Sequence, residues 1–265
     1  DRIMDLSLFK YPVFTISMLI SAIRSVALFG GVFLLPLFLQ QLKGLSAVQS
    51  GLMLLPGTLV MALAMPIIGW LSDRSSPRIL SLIGMGLMAY SMFLFTDISI
   101  YMSNWRIVYP TMIRGVGMCF LMAPIMSLAL GSVPRRKTGM ASSMLSIIQQ
   151  VGGAMGIAIL STVLDSRTKF HLAAVGAAIS TNSTALRSTV QGLAERAHQL
   201  GYTAVNSLTV AQAAITKDIY VACSNYGFQD AFIFATIIII VSIVPVFFLP
   251  NKNVTKHPDE IVVVE

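Results

Sequence analysis

Six apolar stretches, each long enough to cross a lipid bilayer, constrain this chain more than any other feature. They fall at 12–39, 47–71, 79–95, 107–130, 140–164 and 228–249 of 265 residues. An α-helix rises about 1.5 Å per residue, so about 20 apolar residues match a hydrocarbon core about 30 Å thick. Charge is correspondingly scarce. Asp, Glu, Lys and Arg make up 11% of the chain, against about 25% in soluble domains, and mean hydropathy is +0.79. Such a chain is solvated by lipid, where a spanning segment must satisfy its own backbone hydrogen bonds. Runs of this length satisfy them as helices. The expected fold is all-α integral membrane, with six transmembrane helices.

Orientation follows from Lys and Arg in the connectors. Arg2 and Lys10 precede the first span, Arg74 and Arg78 occupy the second connector, and Arg135, Arg136 and Lys137 the fourth. Lys252 and Lys256 follow the last span, whereas the first and third connectors offer only Lys43 and Arg106. Short basic loops are retained in the cytoplasm. The expected plan is a cytoplasmic lead-in (1–11), five spans (12–164), an external segment (165–227), a last span (228–249) and a cytoplasmic tail (250–265). Both ends of the segment are then cytoplasmic. The opening DRIMDLSLFK has no initiator Met and no signal-peptide pattern, and is expected to lie inside a longer chain.

The external segment has helical character. Leu186, Val190, Leu193, Ala197 and Leu200 form one stripe in LRSTVQGLAERAHQL, Gly201 is a stop, and a second run begins near Asn206. These features predict a small helical cap.

Strongly polar side chains at mid-depth are costly and are the default functional candidates. Arg24 lies near the middle of the first span, Arg114 about a third of the way into the fourth, and Gln149 and Gln150 near the centre of the fifth. They are expected to line a polar substrate pathway, with capping of backbone carbonyls or helix bridging as the structural alternative. No span has a central Asp or Glu, since Asp97, Asp165 and Asp230 fall at or near span ends. A proton-binding carboxylate is therefore expected outside this chain.

Other chemistries find little support. The chain has no phosphate-cradling loop, no paired His at metal spacing and no nucleophile elbow. His171, His198 and His257 lie in polar segments, and Cys119 and Cys223 read as small hydrophobes rather than a disulfide. No enzyme, metal or organic cofactor is expected. The net charge of +7 sits in short connectors, so it points to the lipid bilayer and not to nucleic acid. Gly152 and Gly156 form a small-xxx-small pair that lets helices approach closely. Pro36, Pro56, Pro66, Pro124 and Pro245 lie inside spans and predict bent, gating helices.

One charged island, GWLSDRSSPR at 69–78, joins the second and third spans. Gly69 is expected to let helices approach, Asp73 to cap a helix N-terminus, and Arg74 and Arg78 to pair with carboxylates or lipid phosphate. The spacing of Gly69, Asp73, Arg74 and Arg78 resembles the cytoplasmic gating signature of the major facilitator superfamily, with Ser76 where the family's second Gly falls. SGLMLLPGTLVMALAMPIIGWLSDR is similar to the fourteen-helix multidrug:proton antiporters of the EmrB/QacA type. So is the stretch carrying Arg114-Gly115-x-Gly117, Pro124, Pro134, Gly139-x-Ala141-Ser142 and Gln150-x-Gly152-Gly153, although that family usually has Arg-Gln at Gln149-Gln150. The Asp230-Ala231-Phe232 that opens the last span resembles it too.

The resemblance implies one half, the C-terminal one, of such a carrier, built as a 3+3 inverted repeat. It implies export of lipophilic, often cationic drugs in exchange for protons by alternating access, in a bacterial inner membrane. The proton is the coupling ion, and its acidic site lies in the missing N-terminal half. Expected partners are that half, small lipophilic substrates and a periplasmic adaptor. The sixteen methionines suit an adaptable pocket. The competing expectations are a half-size homodimeric carrier and a non-transporting scaffold subunit.

Overall fold

A computed structural model describes residues 9–178, 184–199 and 203–248. All of its regular structure is helical: α1 (Pro12–Gln41), α2 (Ala47–Arg74), α3 (Pro77–Leu94), α4 (Asn104–Gly131), α5 (Thr138–Ala178), α6 (Thr184–Gln199), α7 (Ala204–Val241) and α8 (Ile243–Val246). Six of these, α1 to α5 and the α7–α8 run, are long and apolar enough to cross a membrane.

Helix ends follow local chemistry. Pro12 and Pro77 stand in the first turns of α1 and α3, where a missing N–H costs nothing. At the start of α2 the Ser46 hydroxyl accepts from the Gln49 amide at 3.2 Å, while the Ser46 amide donates back to Gln49 Oε1 at 3.0 Å. That reciprocal box satisfies two otherwise free donors. Pro36, Pro56, Pro66 and Pro124 lie within continuous helices, as does Pro110, a sixth in-span proline. Pro245 does interrupt: α7 stops at Val241, four residues before it, where the proline ring would clash with the carbonyl. The Ser242 hydroxyl donates to the Ile239 carbonyl at 2.6 Å within that break. Within the described residues the last span is therefore a helix to Val241 followed by the short α8, and its expected end at 249 lies outside them.

The chain forms two compact units, one of residues 1–161 and 232–265, the other of residues 162–231. In the first, α4 is packed on both flanks. A Cβ on Gly57 of α2 would stand 2.8 Å from the Thr111 carbonyl oxygen, and one on Gly115 would overlap the Gly57 carbonyl. On the α3 side, a Cβ on Gly84 would come within 2.9 Å of the Gly117 carbonyl oxygen and one on Gly117 within 3.0 Å of the Gly84 oxygen. Residues two apart on a helix point about 200° apart, so Gly115 and Gly117 serve opposite neighbours. On α5, a Cβ on Gly152 would meet the Ala22 carbonyl oxygen of α1 at 2.9 Å, and one on Gly156 would overlap the Val26 backbone.

These registers fix direction. Contacts climb together along α1 and α5, and along α2 and α4, so those pairs are parallel. They run oppositely along α3 and α4, where Gly84 meets Gly117 and the Ser91 hydroxyl donates to the Pro110 carbonyl at 2.7 Å. Phe95 stacks on Phe232 at 5.2 Å and Ser242 reaches Met85, so α7 runs against α3. Lys43 ties the first and third connectors together, donating to the Met102 carbonyl at 2.8 Å and to Asn104 Oδ1 at 3.1 Å. Burial pushes its ammonium below the ordinary lysine value. At the opposite end Phe14, Met18, Ala129, Val133, Ala141, Met144 and Leu145 join α1, α4 and α5 in one buried cluster.

The second unit departs from the expected loop. Residues 165–178 continue α5 without a break, and α7 begins at Ala204. α5 has 41 residues, or about 60 Å of helix, twice a hydrocarbon core. The hydropathy drop at Asp165 ends the apolar run but not the helix. No Gly or Pro intervenes before Gly176, and Lys169 pairs with Asp165 at 2.6 Å, the favourable acid-first i,i+4 order. α6 carries the expected stripe in part: Val190 and Leu193 are half-buried. The side chains of Leu186 and Ala197, and Leu200 and Gly201 entirely, lie outside the described residues, as does the tail from 249.

The packing yields a paired prediction. Gly115→Val should push α4 off α2 and destabilise the protein by about 1–3 kcal/mol, seen as a lower detergent melting temperature. Gly86→Ala, where a Cβ meets nothing within 4 Å, should leave melting unchanged or slightly raised.

Candidate functional site

The first unit holds a cavity of about 370 Å³ lined by residues of α1, α2, α4 and α5. Helical spacing assembles it: Ser21 and Arg24 share a face of α1, Met122 and Met126 a face of α4, and Met65 of α2 and Gln149 of α5 complete the wall. No Asp or Glu is among its described lining residues. Its size falls in the range of small-molecule sites, about 300–1,000 Å³.

Arg24 is the unusual group. It is 6% exposed, and its Nε and Nη1 find no hydrogen-bond partner among the described residues. The Ser21 hydroxyl, one turn earlier, is also buried with no partner among the described residues. Leaving a buried charge uncompensated costs about 3–5 kcal/mol, so this guanidinium is the strongest candidate for a group that awaits a ligand.

Of the four expected pathway residues, the structure brings Arg24 and Gln149 to one cavity. Arg114 is elsewhere: it is half-buried on α4 and its Nη1 makes a long 3.5 Å contact with the Gly31 carbonyl of α1. That is the carbonyl-capping role. Gln150 is exposed, one residue round the helix from the cavity.

The charged island is arranged differently from expectation. Among the described residues Gly69 approaches no other helix closely, and a Cβ there would meet nothing within 4 Å. This end of α2 leaves Ile67 and Trp70 exposed at 67% and 56%. The N-cap position of α3 belongs to Ser76, and Asp73 sits in the last turn of α2 with a side chain outside the described residues. The Arg74 guanidinium lies over the Trp70 ring at 4.2 Å and that of Arg78 over Phe247 at 5.4 Å. Both are cation–π contacts.

A polar cluster that the sequence reading overlooked sits in the second unit. Asp230 Oδ2 accepts from Arg167 Nε at 2.7 Å and lies 2.9 Å from His171 Nε2. His171 is flanked by Phe170 and Tyr226, with ring centroids 5.6 and 5.5 Å away. Arg167 and His171 are four residues apart, on one face of α5. That spacing was readable, but a partner 59 residues further along the chain was not. Asp230 is thus a helix-interior residue joining α5 to α7.

Together, six helices long and apolar enough to span a bilayer and a cavity among four of them fit a multi-pass membrane protein. Residues 4–157 match the Major Facilitator Superfamily model, and the chain belongs to that family. Six spans are the content of half such a fold. The chain is 31% identical over 97% of its length to the MFS-type transporter YhcA of Bacillus subtilis, covering 48% of that protein. It is 25% identical over 91% of its length to the colistin resistance protein EmrB of Acinetobacter baumannii, covering 46% of it. With the lincomycin resistance protein LmrB of Listeria monocytogenes it shares 31% over 64% of the chain and 36% of the relative. The chain thus spans about half the length, or less, of the curated relatives it matches.

The cluster around Asp230 gives a graded prediction. Asp230→Asn should cost about 1–2 kcal/mol by weakening both charged hydrogen bonds. Arg167→Ala should cost under about 1 kcal/mol, because Arg167 is half-exposed. Equal losses in thermal denaturation would contradict this assignment.

Proposed function

We propose that this chain is the C-terminal half of a fourteen-helix, proton-driven exporter of lipophilic compounds, working by alternating access. The observation that carries the reading is the cavity of α1, α2, α4 and α5, with three methionines in its wall and an arginine two of whose nitrogens lack a partner among the described residues. Methionine suits varied apolar ligands because its side chain is flexible and polarisable. Matches over about half the length of YhcA and EmrB support the half-carrier reading. The apolar face that α2 leaves exposed, including Leu59 and Leu63 at 53% and 72%, is available to a second half.

The ends that carry Lys10, Arg74, Arg78, Arg136 and Lys137 gather on one side of the bundle, opposite Lys43 and Arg106. That distribution supports a cytoplasmic location for the connector between α2 and α3, in a bacterial inner membrane. The proton-binding carboxylate lies in the other half, and cationic substrates would draw their counter-charge from there too. Asp73, Arg74 and Arg78 act as a latch whose cation–π contacts hold one state and are exchanged in the other.

The test is dye export from energised everted vesicles containing the full carrier. Export should stop when the proton gradient is dissipated, and Asp73→Asn should reduce it at least about tenfold at unchanged protein level. Export that persists without the gradient, or full activity in the variant, would refute the reading.

A further inference from the structure

We propose that the cavity binds amphiphilic organic anions, with the apolar body on Met65, Met122 and Met126 and a carboxylate or similar acceptor on Arg24. The inference deepens the reading just given, because it takes the cavity as the substrate site and adds the sign of the charge it selects.

Three observations carry it. Arg24 is 6% exposed, and two of its three guanidinium nitrogens lack a partner among the described residues. A guanidinium offers five N–H donors in a planar fork that matches a carboxylate with two parallel bonds. Secondly, no carboxylate is among the described residues that line the cavity, so this wall holds nothing to neutralise the arginine or attract a cation. A cationic ligand here would meet a like charge in a medium of low dielectric, where repulsion acts as negative selection. Thirdly, the remaining polar groups suit an anion's head: the Ser21 hydroxyl is buried with no partner among the described residues one turn from Arg24, and Gln149 can donate from its amide. The cavity's 370 Å³ accommodates a ligand of one or two rings. On this wall the expected preference for cations is reversed.

Binding to the purified full-length carrier in nanodiscs tests this with three probes that share one body: 2-naphthoate, 2-naphthylmethanol and 2-naphthylmethylammonium. Near neutral pH, calorimetry should rank the naphthoate about 10- to 100-fold above the ammonium, the worth of a charge-assisted pair. Arg24→Gln should bring naphthoate down to the affinity of the alcohol, and Arg24→Lys should keep the anion ahead of the cation. An ammonium that binds as tightly as the naphthoate and competes with it for one site overturns the proposal in the unmutated protein, whatever the variants do. So does naphthoate binding that Arg24→Gln leaves intact. Naphthoate no tighter than the alcohol overturns it in favour of a carboxylate from the other half as the partner of Arg24. Proton-driven export of a cationic dye by the same carrier reconstituted in sealed proteoliposomes, together with any of these, would leave the transporter reading standing and remove only this one.

Discussion

Close backbone contact at α4 is the constraint from which the bundle's geometry follows. Helices in lipid gain little from hiding apolar surface from one another, so association depends on how near their backbones come. Gly115 and Gly117 bring α4 against α2 on one flank and α3 on the other. Gly152 and Gly156 do the same for α5 against α1. The cavity lies between these two locked pairs, and its α4 wall, Met122 and Met126, follows Gly117 by little more than one and two turns. Bulk at the glycines would change stability and cavity shape together.

A second constraint is electrostatic. Arginine at mid-bilayer costs roughly 2.5–3.5 kcal/mol on insertion scales, and the two in-span arginines meet that cost differently. Arg114 reaches a helix carbonyl, whereas Arg24 has buried nitrogens without partners beside a hollow. The first is explained by structure. The second is explained by a ligand or a moving partner, the kind of group alternating access requires.

Much of this was legible beforehand because membrane solvation is a strong filter. The run lengths gave six spans, and the small-xxx-small pair at Gly152 and Gly156 pointed to a close helix pair. Arg24 stood out because a charge deep in an apolar run has few bland explanations. Other features escaped for physical reasons. The continuation of α5 past Asp165 was hidden because hydropathy reports solvent, not backbone conformation, and ion pairs such as Asp165–Lys169 sustain a helix in water. The partners of Asp230 are far apart in sequence. Glycine spacing could not say that Gly69 meets no neighbour among the described residues, and Gln150 was grouped with Gln149 although a single residue turns a helix by about 100°.

The most direct test of the central claim, that the Arg24 cavity is the substrate route, is chemical access to its wall. Met126 is 38% exposed and lines the cavity, and the native thiols Cys119 and Cys223 are buried. In a full carrier with these and every other native cysteine replaced by Ser, a Met126→Cys thiol should react with a membrane-permeant maleimide, and a transported lipophilic compound should slow that reaction in proportion to its occupancy. A labelling rate indifferent to saturating substrate would contradict the account.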